Sequence, residues 1–339
     1  MRKFLFVVIA YSAILTSCST HVDPPTPEQL FEKYKNSVVN IDAEYYYSAR
    51  LSDSMYVYFT DFDGTDLKNL SLTVNELEGK MKKLSGKGTF VSDKGEILTN
   101  RFVTGPSFKE SALVKSLDEQ LTQLMYSMRD KMLDINSDIE MLKSDLHYLS
   151  GKEAVIAKNR LNNLIALSSK IKTTGVQLVI DYPKLVIRNE IYSAKITYPF
   201  SSQVDEATME STSTDRRVDM TMLRLKNKKT PSFVKSTFNF DDNNPNNKEG
   251  NLFTPEKEMA PGKKLYAIDI DANNQSVFKE GEVSFKSNRF RVIYTLELSN
   301  GCPVFDEWGN LISISNNVQE NGKAFNYGTI STRVFDFSN

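Results

Sequence analysis

The chain has 339 residues, of which 42 are lysine or arginine and 43 are aspartate or glutamate, so its formal net charge is −1. This even balance argues against a dedicated nucleic-acid or polyanion surface, and no nucleic-acid partner is expected. The sequence contains no CxxC, HExxH or aspartate-rich calcium motif, so neither a metal nor another cofactor is predicted.

The first residues have the features of a secretory signal. Met1-Arg-Lys is basic, and the apolar run from Phe4 to Leu15 is shorter than the about 20 residues that cross a bilayer. The ending Leu15-Thr-Ser-Cys18 resembles a bacterial lipobox. That resemblance implies a signal peptide (1–17), a lipid on Cys18, a tether (18–27) and a place in the bacterial cell envelope, facing the periplasm or on the outer membrane. The alternative is a plain signal peptide with an incidental cysteine.

Cysteine usage limits how the folded part is stabilised. The chain has two cysteines, so lipidation of Cys18 would leave Cys302 as the only thiol. No intramolecular disulfide is then possible, and stability must come from the hydrophobic core.

Beyond the tether, the sequence predicts a short amphipathic helix that enters a strand, over Pro27–Ile41. Tyr45–Phe62 is rich in tyrosine, valine and phenylalanine and favours further strand. The segment Gly86–Val103 is typical of strand–turn–strand, with its turn at Asp93-Lys94-Gly95.

The period changes to that of a helix between residues 107 and 173. One apolar stripe repeats every seven residues: Val114, Leu121, Met128, Ile135 and Leu142. Ser150-Gly151 predicts a break, and a second helix is expected over about 152–172. The two form a predicted helical hairpin with a coiled-coil-like stripe. Whether the stripe packs within the chain or binds a protein partner stays open.

After the hairpin the pattern returns to short strands with turn-rich connections, which indicates a sandwich or barrel. The predicted strands are Val176–Ile180, Leu185–Asn189, Ile191–Tyr198, Met220–Leu225, Leu265–Asp269, Glu282–Phe285 and Phe290–Leu296. A second strand–turn–strand unit is predicted over Leu298–Ile314, with its turn at Glu307–Asn310.

Gly86–Val103 and Leu298–Ile314 together resemble the histidine-bearing and serine-bearing segments of trypsin-fold serine proteases, most closely the HtrA-like branch. The resemblance implies a mostly β, trypsin-like double β-barrel (28–106 and 174–339) with an inserted α-helical hairpin (107–173).

The same resemblance implies that the catalytic machinery is degenerate. The histidine position falls on Phe102, the serine position on Asn300, and the glycine of the oxyanion hole on Leu298. The acidic member maps to Asp219, which we expect to be structural, bonded to backbone amides or to a cation such as Arg101. A phenyl ring cannot accept a proton and an amide is no useful nucleophile, so no peptidase activity is expected.

Three functions remain open from the sequence. The first is a non-catalytic module that binds a protein or peptide through the cleft, by strand addition, and through the hairpin. The second is an atypical serine- or cysteine-type peptidase that uses Cys302 as its nucleophile. The third is a structural coiled-coil lipoprotein. In each case the membrane would be reached through Cys18.

Overall fold

The computed structural model describes residues 22–104, 110–213, 219–238, 243–245, 260–288, 291–320 and 323–329. The predicted signal peptide, the predicted lipid site Cys18 and the first residues of the predicted tether lie outside these ranges. Within them, no helix is both long enough and apolar enough to cross a membrane.

A short helix, α1 (Pro27–Tyr34), opens the described part, as predicted. Thr26 caps it: the Thr26 hydroxyl accepts from the Gln29 N–H, and the Gln29 side-chain oxygen accepts from the Thr26 N–H at 2.9 Å. This reciprocal pair satisfies two backbone donors that the helix itself leaves free, while proline at the first position starts the turn. Leu30 and Tyr34 are buried, so one face of α1 is fixed against the core.

The first barrel contains most of the strands on either side of the hairpin. They are β1 (Val38–Arg50), β2 (Tyr56–Phe59), β5 (Lys82–Phe90), β6 (Glu96–Thr99), β7 (Val186–Tyr198), β8 (Ser201–Thr212) and β9 (Thr221–Leu225), with a separate ribbon of β3 (Asp61–Phe62) and β4 (Leu67–Lys68). The strand order is β2-β1-β5-β6-β9-β8-β7, and β1 pairs with both β5 and β7. Strand β7, at one end of the sheet, therefore meets β1, and the sheet curls into a barrel with β2 attached at its side.

The second barrel is closed and lies wholly in the C-terminal third. Its strands are β10 (Lys264–Ile270), β11 (Ser276–Asn288), β12 (Arg291–Tyr294), β13 (Pro303–Phe305), β14 (Leu311–Glu320) and β15 (Lys323–Thr329). They run in the order β10-β11-β12-β15-β14-β13, and β10 pairs with β13 to complete the ring. Short 3-10 turns occur at Val74–Leu77, Arg101–Thr104 and Tyr182–Lys184.

Two long helices, α2 (Glu110–Asp145) and α3 (Gly151–Gln177), stand between β6 and β7. The architecture is therefore mostly β, with two barrels and an inserted helical hairpin, which confirms the predicted trypsin-like double barrel. Both predicted strand–turn–strand units are present, and their turn glycines, Gly95 and Gly309, have φ of +74° and +80°.

Each barrel has its own core, and a third cluster joins the two barrels. Ile41, Phe90 and Ile196 belong to the core of the first barrel, whereas Leu265 and Val292 belong to that of the second. The joining cluster combines α1 with both barrels: Leu30, Tyr34, Val38, Leu98, Met222, Phe238, Tyr266 and Phe305. Burial of this apolar surface fixes one barrel against the other.

The hairpin is docked at its base and stands free beyond it. Leu113, Leu117 and Leu121 of α2 and Leu178 after α3 pack with tyrosines of β1 in one buried cluster. The predicted stripe lies on this inner side of α2: its members are buried or half-buried, namely Val114, Leu121, Met128, Ile135 and Leu142.

The strand predictions were wrong in two places. Val176–Ile180 is not a strand, because α3 continues through Gly175 to Gln177 and Leu178 then enters the core. Conversely, β8 was not predicted. Its sequence from Ser201 to Thr212 is largely polar, and burial along it is slight, so no apolar period marks it.

Candidate functional site

The loop that carries Asn300 lies where the two barrels meet. The backbone N–H of Lys87 in β5 donates to the Asn300 carbonyl at 2.8 Å, and the Gly301 N–H donates to the Ser315 carbonyl in β14 at 2.9 Å. Gly301 has φ of +88°, and a Cβ there would lie 1.9 Å from the Lys87 carbonyl oxygen. Only glycine fits this crossing, so the loop is fixed by the close approach of the two backbones.

The Asn300 side chain is held by two donors. Its Oδ1 accepts from the Asn317 backbone N–H at 2.7 Å and from the Asn100 side-chain amide at 3.2 Å. Asn100 is fully buried and also bonds to the Ser315 carbonyl at 2.8 Å and to the Val103 N–H at 3.0 Å. The position predicted to correspond to the serine is therefore part of a hydrogen-bonded clamp.

Phe102 and Asp219, the predicted histidine and aspartate positions, come together through the backbone. Phe102 lies in the 3-10 turn Arg101–Thr104, and Asp219 Oδ1 accepts from the Arg101 N–H at the start of that turn, at 3.1 Å. Burial raises the pKa of Asp219 above its usual range, although the Arg101 charge and N–H oppose the shift. The Asp219 carboxylate is thus bonded to the backbone next to Phe102.

Leu298 stands where the resemblance puts the oxyanion-hole glycine, and its side chain is 4% exposed. It packs in the core of the second barrel with Leu296, Cys302 and Ile312. The side chain thus anchors the loop. Its packing in the core fixes the backbone at this position, whereas a glycine would leave the backbone a wider range of φ and ψ.

Cys302 is fully buried, and its thiol donates to Asp269 Oδ1 at 3.1 Å. Burial first, and then the negative charge of Asp269, raise the pKa of the Cys302 thiol well above its usual value. A nucleophilic cysteine needs the opposite environment, exposed and electropositive, because the thiolate is the reactive form.

Asp269 is a residue that the sequence did not single out. Its Oδ2 accepts from the Ser299 N–H at 3.0 Å, from the Ser299 hydroxyl at 3.2 Å and from Lys279 at 3.1 Å. Burial alone would raise its pKa, but the donors Ser299, Cys302 and Lys279 outweigh burial and hold the pKa of Asp269 below its usual range. The only signal was one acid inside the apolar run Leu265–Ile270.

Asn100 was also missed, although it lies within the first motif. The sequence gave little sign of its role, because the importance of a buried asparagine depends on which donors and acceptors surround it in the fold. Together, Asn100 and Asp269 place one buried polar side chain on each side of the Ser299–Cys302 loop, and both bind that loop.

The second barrel also has an open depression of about 320 Å³, which lies on β10 and β11. It is lined by Lys264, Tyr266, Glu280, Gly281, Glu282 and Thr295. None of the predicted site residues lines it. Among the described residues, no cluster of three or more histidine, cysteine, aspartate or glutamate side chains is arranged to hold a metal ion.

No protein-family model and no curated protein matches this chain. Among solved structures it is similar to a serine endoprotease from Yersinia pestis, with 11% identity, a TM-score of 0.39, and coverage of 91% of this chain and 64% of that one. It is also similar to the HtrA-type protease AlgW with a decapeptide, with 11% identity, a TM-score of 0.42, and coverage of 91% of this chain and 65% of that one. A third similar structure is the MamO protease domain from Magnetospirillum magneticum, with 8% identity, a TM-score of 0.39, and coverage of 90% of this chain and 96% of that one. The chain thus spans less than two thirds of the first two proteases.

Proposed function

We propose that this protein is a catalytically inactive, trypsin-like double barrel that serves as a protein- or peptide-binding or scaffolding module of the bacterial cell envelope. The observation that carries the proposal is the clamp on Asn300. Its side-chain oxygen is already bonded to the Asn317 N–H and to Asn100, and a carboxamide cannot attack a peptide carbonyl.

The lack of a base supports the same proposal. Phe102 offers no proton acceptor, and the sequence has two histidines. His21 belongs to the predicted tether, and His147 is exposed on the connection between α2 and α3. Asp219 accepts from the backbone N–H of Arg101, and with phenylalanine at position 102 it has no imidazole there to orient.

The burial of Cys302 argues against the cysteine-peptidase alternative. A thiol with a raised pKa and no exposed surface is largely protonated and out of reach of a substrate. Such a buried cysteine behaves as a small apolar residue.

A partly unpaired edge of β14 supports peptide binding by strand addition. Strand β14 pairs with β13 only over Leu311–Ile314, whereas it pairs with β15 out to Glu320. Ser315 still pairs on the β13 edge with Gly301 and Cys302, and within the described ranges no strand covers the edge beyond Ser315. On this edge the Asn317 N–H donates to Asn300 Oδ1. The backbone N–H and C=O of Gln319, two residues further along the strand, point to the same edge. An extended peptide could add to this edge.

The first test is turnover of fluorescently labelled β-casein, an unfolded protein, by the chain that starts at Ser19, beside Cys302→Ala. We expect no cleavage by either protein. Cleavage that is lost in Cys302→Ala would replace the proposal by a cysteine hydrolase, and cleavage that survives in it would place a nucleophile elsewhere.

Strand addition has its own test, with the same labelled casein as the ligand. Gln319→Pro removes one backbone donor from the free edge, whereas Gln319→Ala keeps that donor. Loss of one hydrogen bond should weaken casein binding about fivefold in the proline variant alone. Equal affinities in fluorescence anisotropy would move the binding site away from β14.

Anchoring through Cys18 is a separate part of the proposal, and it rests on the lipobox-like ending alone. We expect mass spectrometry of the protein from membranes to find acyl chains on Cys18 and to find Cys18→Ala in the soluble fraction. An unmodified Cys18 in the mature protein would remove the anchor but leave the binding proposal standing.

A further inference from the structure

The two helices of the hairpin carry opposite charge. Helix α2 has eight acidic and four basic side chains, a net charge of −4, whereas α3 has one acidic and five basic side chains, a net charge of +4. The ion pairs within the hairpin, Lys115–Glu119 and Lys143–Glu140, both lie inside α2. Throughout the described hairpin no ion pair joins one helix to the other, so this opposite charge is not used within the molecule.

One hydrogen bond defines the two broad faces of the hairpin. The Ser168 hydroxyl donates to Asn136 Oδ1 at 2.9 Å and so marks one face. At 3.6 residues per turn, Asp134 lies about 200° from Asn136, on the opposite flank of α2. Since the helices are antiparallel and both right-handed, the flank of α3 that contains Leu167 belongs to that same opposite face.

We call this second face the charged face. Its α2 row follows the spacing of one helix flank and consists of Lys131, Asp134, Asp138, Met141 and Asp145. Its α3 row, at the same spacing, consists of Glu153, Ile156, Arg160, Asn163, Leu167 and Lys170. The row from α2 thus has three acidic side chains and one basic one, and the row from α3 has two basic side chains and one acidic one, so the rows keep net charges of opposite sign.

The apolar members of the charged face are open to solvent. Met141 is 62% exposed, Ile156 68% and Leu167 42%. Apolar side chains flanked by charges at the edges of a groove are typical of helix–helix contacts between chains, where charge sets the partner and the orientation. Neither the barrels nor the other helix covers them.

We infer that the charged face binds the same face of a second copy of this chain, so that each acidic α2 lies across the basic α3 of its partner. A two-fold axis parallel to the helices produces this arrangement and makes neighbouring helices antiparallel. A two-fold axis across the helices would instead set α2 against α2, with like charges facing each other.

The heights of the residues agree with this pairing. The Asn136–Ser168 bond sets residues 136 and 168 at the same position along the hairpin axis, and numbers fall on α2 as they rise on α3. Asp134 is therefore level with Lys170, and Asp145 is within one residue of the level of Arg160. An axis parallel to the helices preserves height, so these pairs face each other between copies. Met141 then comes between Ile156 and Leu167 of the partner.

The area agrees with a weak dimer that is sensitive to salt. From Ile156 to Lys170 the row on α3 is about 21 Å long, and two packed helices present a face about 20 Å wide. These rows alone would bury about 400 Å² on each copy, which is about half the share of one partner in a standard-sized interface and is in the range of transient complexes.

Sedimentation velocity of the chain from Ser19 on, which keeps every described residue, tests the inference. We expect a monomer–dimer equilibrium that weakens as salt rises from about 50 mM to about 500 mM. Arg160→Glu with Lys170→Glu should raise the dissociation constant at least tenfold, by placing like charges across the interface. Adding Asp134→Lys and Asp145→Arg to that variant should restore dimerisation.

The matched control is Lys158→Glu with Lys172→Glu, which reverses the same number of charges on α3 on the face of the Asn136–Ser168 bond. We expect it to dimerise like the wild type, and circular dichroism should show equal helix content in all variants. A wild-type chain that is monomeric at about 0.1 mM, or equal losses in the two reversal variants, would overturn the inference.

Discussion

The Ser299–Cys302 loop and the outer half of the hairpin differ in where their polar groups form bonds: within the molecule in the loop, and with solvent in the hairpin. In the loop, backbone and side chains bond to both barrels, and Leu298 and Cys302 on its two sides are buried. In the outer hairpin, charged side chains face solvent and apolar residues such as Ile156 are exposed. The polar groups of the loop are thus bonded within the molecule, whereas the outer hairpin leaves charged and apolar side chains exposed. Substitutions in the loop should therefore change stability, and those in the outer hairpin should not.

The largest expected effect in this comparison is at Gly301. Gly301→Ala would put a Cβ against the Lys87 carbonyl at a left-handed φ, and we expect a loss of about 4 kcal/mol or more in the free energy of unfolding. Gly262→Ala is the matched control, since Gly262 has φ of +81° but open space around its Cα. It should lose only about 1 kcal/mol in urea unfolding. Similar losses would mean that the two backbones do not cross tightly.

Asp269→Asn should cost about 2–3 kcal/mol at pH 7, because charged hydrogen bonds from Ser299 and Lys279 are weakened in a buried place. The folded-state pKa of Asp269 lies below its usual value of about 3.9, so its stabilisation is complete above that pH and is lost as pH falls through the folded pKa. The difference between wild type and variant should therefore shrink between about pH 5 and pH 3.

Asp219 gives the control for this pH dependence, because its folded pKa is raised rather than lowered. The sign is then reversed: stability is gained as pH falls through the folded pKa of Asp219 toward its unfolded value. Asp219→Asn should remove that gain. If both variants show the same pH profile in urea unfolding, the charged network around Asp269 is not what stabilises the loop.

Asn300→Ala should have a moderate effect, about 1–2 kcal/mol, because the Asn317 N–H and the Asn100 amide lose an acceptor. Asn227→Ala, which removes a side-chain acceptor from the Lys229 N–H at an exposed position, should cost less than about 0.5 kcal/mol. Chemical unfolding compares the two. An Asn300 variant as stable as the Asn227 variant would show that the clamp contributes little.

The smallest effect is expected in the outer hairpin. Ile156→Ser, measured at low protein concentration where chains are monomeric, should change the free energy of unfolding by less than about 0.5 kcal/mol. The side chain is mostly exposed and belongs to none of the buried clusters among the described residues. A larger loss would mean that the outer hairpin is packed more tightly than its exposure indicates, and that it is not a free surface.

The sequence predicted the parts of the fold where the apolar pattern has one clear period. The seven-residue repeat from Val114 to Leu142 gave the first helix of the hairpin, and glycines at Gly95 and Gly309 gave the two turns. Strand β8 could not be predicted in this way, because its ladder of backbone hydrogen bonds holds a sequence with few apolar residues.

For the candidate site, the sequence supplied the positions Phe102, Asp219 and Asn300 but not the residues that hold the loop. The contact between Asp219 and Arg101 was expected from chain proximity to Phe102, and it forms through the backbone N–H. Asn100 could not be predicted, because its partners Asn300 and Ser315 are at least 200 residues away in the sequence. The partners of Asp269 are nearer, at 10 residues for Lys279 and 30 for Ser299, but no local spacing marks them as partners.

The turn between β13 and β14 contains the only tryptophan of the chain, Trp308. It is half-buried, and the adjacent Gly309 lies so close to Tyr34 of α1 that a Cβ there would be 2.8 Å from the tyrosine ring. Tyr34 in turn stacks on Phe238 at 4.1 Å in the cluster that joins the barrels. The molecule thus has its one tryptophan fluorophore beside the junction of α1 and the second barrel. A change in its emission would report opening at that junction without any added label.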